Sequence, residues 1–503
     1  MSSERLARLR VVAGEIHDLE RTASLLAWDQ ETMLPPDGGA ARAEQRATVG
    51  RVVHERLVSD ELGRLLEELR SEEEALPDDS DDAGLIRYLR REHEKARRVP
   101  TELRAELSRA GALGLGAWLQ ARERRDFEVL RPHLERQLEL KRRYIECFAP
   151  YDDAYDVLLD DYEQGQTAAE TERVLEHLKR ELVPLVTAVR ERGGDEDGSL
   201  RGPFPVDPQA AFTHALVERL GFDERSWRLD RSEHPFTAGL SIGDIRLTTR
   251  FNERNLSGVF AALHEFGHGL YERQVAPELD RTPLAGGASA ALHESQSRMW
   301  ENLVGRSRAF WTSAYDDLRT ALPDALGDVD LDRFYRAINQ VRPSLVRVDA
   351  DEITYNLHIV LRFELERDLL AGRLEVRDMP AAFDERMVSY LGLEPPDVTL
   401  GVLQDIHWGD ATFGYFPTYS LGNVMSVQIW ERARGDLGDL DAQVERGELG
   451  GLREWLREHL HRHGRKFTPR ETLLRAAGAP IDPEPYVRYL KGKLGEVAGV
   501  AVP

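Results

Sequence analysis

The sequence predicts a mainly α-helical protein with a small β insert next to one particular helix. Three observations predict it. First, apolar residues recur at helical spacing over most of the 503 residues, with proline and glycine punctuating between segments. Second, Pro235 to Arg250 breaks that pattern: Ile245, Leu247 and Thr249 alternate after a Gly-Asp turn, the mark of a short strand or hairpin. Third, a hydrophobic fraction of 41% against 31% charged is enough for a sizeable core and excludes wholesale disorder.

Along the chain, the first ten residues carry no apolar signal-peptide core, which leads to the expectation of a cytoplasmic protein. The acidic run Ser71 to Asp82 and the Gly193 to Gly198 stretch read as solvated loops. Leu103, Leu107, Leu113 and Leu115 mark a helix after Pro100, and Ile359, Leu361, Phe363, Leu365 and Leu369 mark another. Cys147 is the only cysteine, so an intrachain disulfide or thiolate metal site is excluded, and its neighbours Tyr144 and Phe148 suggest a buried apolar thiol. The charge-free stretch Ala411 to Trp430 is long enough to cross a bilayer. Its Pro417, Asn423 and Gln428 make it buried loop and helix instead. With Asp+Glu 90 against Lys+Arg 67, a net charge of −23 argues against nucleic-acid or anionic-membrane partners.

The chemistry concentrates after the strand. His264-Glu265-Phe266-Gly267-His268 is an HExxH pattern. Residues four apart share one helix face, so both imidazoles can grip one metal ion while Glu265 stands beside them as a general base. Val259, Phe260, Ala262, Leu263 and Phe266 give that helix its apolar body, and Gly267 implies that something packs very close. A catalytic zinc takes three protein ligands and keeps a position open. The helical pattern Ala288 to Asn302 offers Glu294 or Glu301 as the third, and Glu294, among Leu292, Met299 and Trp300, is the better choice. His407, Tyr415 and Tyr419 are candidates to stabilise an oxyanion, with core packing as the alternative. A free substrate carboxylate calls for an arginine fork. Arg246 and Arg347 stand out by their apolar neighbours, although Arg246 could equally pin the β insert by a salt bridge. Asp351 reads as a residue that orients a ligand histidine or as a partner for arginine.

Several separate motifs resemble the carboxypeptidase Taq family of metallocarboxypeptidases: His264 to His268, His293-Glu294-Ser295-Gln296, His234-Pro235-Phe236, Asp244-Ile245-Arg246-Leu247-Thr248, Val346 to Asp351, Gly401 to Trp408, and Trp28 to Met33. They follow the family's order from about Ala27 to the C-terminal helices. The resemblance implies Glu294 as third ligand, substrate-carboxylate roles for Arg347 first and Arg246 second, and zinc as cofactor with cobalt as a substitute. It also implies a fold similar to the neurolysin and angiotensin-converting-enzyme class with a deep substrate channel, a homodimer, and a single catalytic domain over 1–503 with a helical lobe to about 200 and a zinc-site lobe beyond. The expected activity is removal of single C-terminal residues from peptides with broad tolerance. A peptidyl-dipeptidase or oligoendopeptidase would share the zinc chemistry and differ in where the carboxylate-binding arginines lie. A silent peptide-binding protein should have lost Glu265 or a ligand, and all are present.

Overall fold

Helical spacing becomes helix almost wherever proline and glycine permit. The computed structural model describes residues 2–192 and 200–498, and is mainly helical with one three-stranded sheet. The predicted Gly193 to Gly198 loop lies outside the described residues. The segment after Pro100 is a helix, Thr101–Arg124, and the apolar run with Ile359 lies in the helix Thr354–Leu370. The Ser71 to Asp82 run differs from its reading as a loop. Helix Arg70–Ala75 occupies its first half, because Glu72 and Glu73 sit in the first turn and are paired with Arg5 and Arg90. Cys147 is half-buried rather than buried, with its thiol donating to the Arg143 carbonyl at 3.3 Å. Ala411 to Trp430 runs through loop into the helix Pro417–Leu437. Among the described residues no helix is long and apolar enough to cross a membrane.

The predicted hairpin is present as β2 (Thr237–Ser241) and β3 (Asp244–Thr249), paired antiparallel. A further strand, β1 (Trp227–Arg231), runs parallel to β3 with Trp227 opposite Ile245, so the order is β1-β3-β2. Sequence reading missed β1 because Arg228, Asp230 and Arg231 mask the alternation of Trp227 and Leu229.

The chain groups into two compact units that a single cut near residue 200 does not separate. One holds residues 1–97, 200–335 and 429–480; the other holds 98–199, 336–428 and 481–503. In the first, the N-terminal helix Ser2–Thr32 belongs with the sheet: Arg21 donates to the Gly239 carbonyl at 2.6 Å and to that of Ala285. Leu9, Val12, Ala13 and Ile16 share a core with Leu62, Leu66, Val275, Leu279 and Leu284. The second contains the buried helix Thr354–Leu370, whose Tyr355, Leu357, Leu361, Phe363 and Leu365 are in its core.

Candidate active site

The HExxH residues lie on the helix Ser257–Arg273, whose Val259, Phe260, Ala262, Leu263 and Phe266 are buried. Glu294 lies on the next helix, Ala290–Arg298, which starts at a Ser289 cap and runs into a π-helical turn, Met299–Val304. The two helices pack closely because Gly267 has no side chain: a Cβ there would lie 2.4 Å from the Gln296 carbonyl oxygen and 2.7 Å from the Ser297 Cα. Alanine would gain up to about 1 kcal/mol of helix propensity, but overpacking costs about 1–3 kcal/mol. Gly267→Ala is expected to lose up to about 2 kcal/mol net and to loosen metal retention, since Glu294 moves with its helix. Denaturant unfolding with and without chelator measures both; unchanged values would mean that the helices part freely.

Donor atoms of His264, His268 and Glu294 lie within 4.8 Å of one another. His264 Nε2 and His268 Nε2 are 3.7 and 3.6 Å from Glu294 Oε2. Zinc bonds of about 2.0–2.2 Å put tetrahedral donors roughly 3.3–3.6 Å apart, so two imidazoles and this carboxylate fit one ion with little adjustment. Two of the trio are held in the protonation states a metal needs; burial opposes a charged His264, but Glu294 and Glu301 outweigh it and push that imidazole up, so a metal would displace a proton there. Burial pushes His268 down to about 3, so it is neutral. Burial also works against a charged Glu294, but Arg298, His264 and His268 outweigh it and keep the carboxyl well below its usual range. Arg298 Nε donates to Glu294 Oε1 at 2.7 Å. His264 Nδ1 meets Glu301 Oε2 at 3.0 Å, which leaves Nε2 facing Glu294. Glu301, the other carboxylate of that segment, therefore holds His264 in place and stands outside the trio of donors.

Glu265 is buried, and burial pushes its carboxyl up against the pull of His264 and of a hydrogen bond from Thr237. The Thr237 hydroxyl, on β2, donates to Glu265 Oε2 at 2.6 Å. Sequence reasoning missed Thr237, although it directly follows the His-Pro-Phe element. Arg246 lies on β3 with Nε and Nη2 both 2.9 Å from Asp244, and its guanidinium sits 4.3 Å from the Trp28 ring centre. That geometry favours the pinning role over a substrate contact.

The remaining predicted residues fall together in the second unit. Arg347 and Asp405 join the Val346 to Asp351 and Gly401 to Trp408 segments: Nε and Nη2 donate to Asp405 Oδ1 at 3.0 and 2.7 Å. Arg362, fully buried on the helix Thr354–Leu370, donates to Asp405 Oδ2 at 2.6 Å. Sequence reading named neither Arg362 nor Asp405 as a site residue. The available signal was an arginine inside an otherwise apolar run. Arg347 Nη1 donates to the Tyr355 hydroxyl at 2.8 Å, and its backbone N–H to Gln404 at 2.8 Å. Tyr419 presents its ring 4.9 Å from the Arg347 guanidinium and its hydroxyl 3.3 Å from His407 Nε2. The His407 ring stacks on Tyr415 at 5.7 Å. Burial, with Arg347 and Arg362, pushes His407 down to about 4 despite Asp405, so its imidazole is neutral near pH 7. Asp351 fills neither expected role. It accepts from the backbone N–H groups of Arg342, Ile353 and Thr354 and from the Thr354 hydroxyl, so it caps the helix start.

The family model for carboxypeptidase Taq (M32) metallopeptidases matches residues 8–494. The chain belongs to this family. It is 39% identical over 492 residues to thermostable carboxypeptidase 1 of Thermus thermophilus, covering 96% of both chains. It is 34% identical to carboxypeptidase 1 of Bacillus subtilis, covering 95% of each. The crystal structure of the M32 carboxypeptidase from Deinococcus radiodurans R1 superposes with a TM-score of 0.95 at 39% identity, over 99% of this chain and 100% of that one. As an M32 member the protein is a metallocarboxypeptidase, a hydrolase of peptides that requires a metal.

Proposed function

We propose that the protein is a zinc carboxypeptidase in which His264, His268 and Glu294 hold the ion and Glu265 handles the proton, releasing one C-terminal residue per cleavage with broad tolerance. The observation that carries this reading is the trio of donors, two half-buried imidazoles and one buried carboxylate mutually within 4.8 Å, with the buried carboxylate of Glu265 next to them in the chain. Cobalt could substitute, since the nitrogen and oxygen donors suit both ions. When bound, the ion supplies Lewis acidity, easing the ionisation of water and polarising a carbonyl.

The chain's own groups supply the rest. Glu265 takes the proton of the attacking water and passes it to the departing amine, the raised affinity of a buried carboxyl suiting both halves. Thr237 fixes the carboxylate's orientation. His407, Tyr415 and Tyr419 are the proposed neutral donors to the oxyanion, with no further ranking among them.

Arg347 is the proposed anchor for the substrate's α-carboxylate; Arg246, the second candidate, is set back by its pairing with Asp244. Support for Arg347 comes from charge: two buried guanidiniums share the single carboxylate of Asp405, so the cluster carries an unbalanced positive charge. Asp405 and Tyr355 take three of Arg347's five N–H groups, which leaves one on each of Nη1 and Nη2 for an anion. Arg347→Ala, in which Asp405 keeps Arg362, should lower kcat/KM on a free-acid peptide about 10- to 100-fold. On the C-terminally amidated peptide, already a poor substrate, it should change little. Product analysis on the same peptides tests the whole reading: release of dipeptides, or equal cleavage of the amide, would replace it with a peptidyl-dipeptidase or endopeptidase. A homodimer in the cytoplasm, each chain one catalytic domain over 1–503, completes the proposal.

A further inference from the structure

His264 and His268 are not braced in the same way. His264 is held directly by a carboxylate, Glu301. Behind His268 stands another histidine: His268 Nδ1 and His293 Nδ1 are 2.6 Å apart, and His293 Nε2 is 2.9 Å from Glu272 Oε1. We propose that Glu272 and His293 form a two-step relay that sets the tautomer and ring plane of His268, and through them the affinity of the metal site.

A carboxylate only accepts, so Glu272 requires the N–H of His293 at Nε2. With a single ring proton placed there, the imidazole has its lone pair at Nδ1, facing His268 Nδ1. Only one hydrogen fits between those two atoms, and it must come from His268. The proton of His268 is thereby kept on Nδ1, and Nε2, the atom 3.6 Å from Glu294, is left with the lone pair that a metal takes. The opposite tautomer of His293 would put the His268 proton on Nε2 and block the site.

Glu272 is anchored in its turn. It accepts from the Gly287 backbone N–H at 3.2 Å, and Arg21 approaches its other oxygen at 3.8 Å. Its carboxyl stays ionised: burial opposes the charge, but the His293 hydrogen bond, Arg21 and Arg465 hold it down at about 2. The backbone is shaped around the relay as well. A Cβ on Gly287 would lie 2.5 Å from His293 Cδ2, so a side chain there would displace the imidazole. His293 and Glu272 are positioning residues, since they act on the metal only through His268.

The inference rests on the metal site proposed above, and the test separates the two. Zinc affinity is measured on the full chain by competition with a chromogenic chelator, with circular dichroism of the metal-free proteins as a folding control. His264→Ala and Glu294→Gln should lose zinc; if they bind it as wild type does, the site itself is misassigned and the relay falls with it. Given that loss, His293→Ala should bind zinc about 10- to 100-fold more weakly and Glu272→Gln about tenfold more weakly. His293→Asn, whose Oδ1 can stand where Nδ1 stood as acceptor, should recover most of the affinity. The relay is overturned, with the site intact, if His293→Ala and Glu272→Gln both stay within threefold of wild type. It is equally overturned if asparagine is no better than alanine, because the loss would then be one of packing. Should His293→Ala not fold, Glu272→Gln and His293→Asn carry the same decision.

Discussion

Glu265→Gln is expected to keep its metal and lose turnover by about 10²- to 10⁴-fold. Glutamine is nearly isosteric and can still accept from Thr237, so the helix, its apolar face and the donor trio should be undisturbed. What disappears is a group that can take a proton from water and return it to an amine. Metal analysis after dialysis, alongside single-turnover kinetics on a free-acid peptide, separates the two effects. Full zinc with lost turnover is the expected pair; near-normal turnover would move the general base elsewhere, and lost zinc would make Glu265 part of the cradle.

The second large effect is one of stability. Asp405→Asn removes what is, among the described residues, the only carboxylate in direct contact with both Arg347 and Arg362, each at least nine-tenths buried. Deleting one partner of a buried ion pair costs about 3–5 kcal/mol, because the charge left behind is neither hydrated nor paired. Two guanidiniums left together should place this variant at the upper end. Denaturant unfolding gives the number. A loss below about 1 kcal/mol would mean that water or another anion already reaches the pair.

Much of the site was legible because it is local. His264 and His268 lie one helical turn apart, so their joint action follows from period alone. Glu294 was legible from an apolar setting in which a carboxylate needs a reason. Other features depend on partners far along the chain. Nothing near Arg347 announces that Asp405, 58 residues on, takes one edge of its guanidinium. Asp351 looked like a partner for a side chain, whereas the ends of a loop and a helix claimed it through backbone N–H groups. Arg246 had two readings from its apolar neighbours, and an aspartate two residues before it favours the structural one. The fold class was readable from periodicity, while β1 was hidden by the charged residues on its exposed positions.

The interleaving of the two units sets the order in which the protein can be made. The helix Ser2–Thr32 is made well before Val275, Leu279 and Leu284, which complete its apolar core and follow some hundreds of residues later. The last piece of the same unit extends to residue 480. Leu9, Val12 and Ile16 can therefore meet Leu62 and Leu66 early, but must wait for the rest of their core until Leu284 has been made. A fragment beginning at residue 201 would carry every proposed metal ligand and still lack the helix against which its sheet is built.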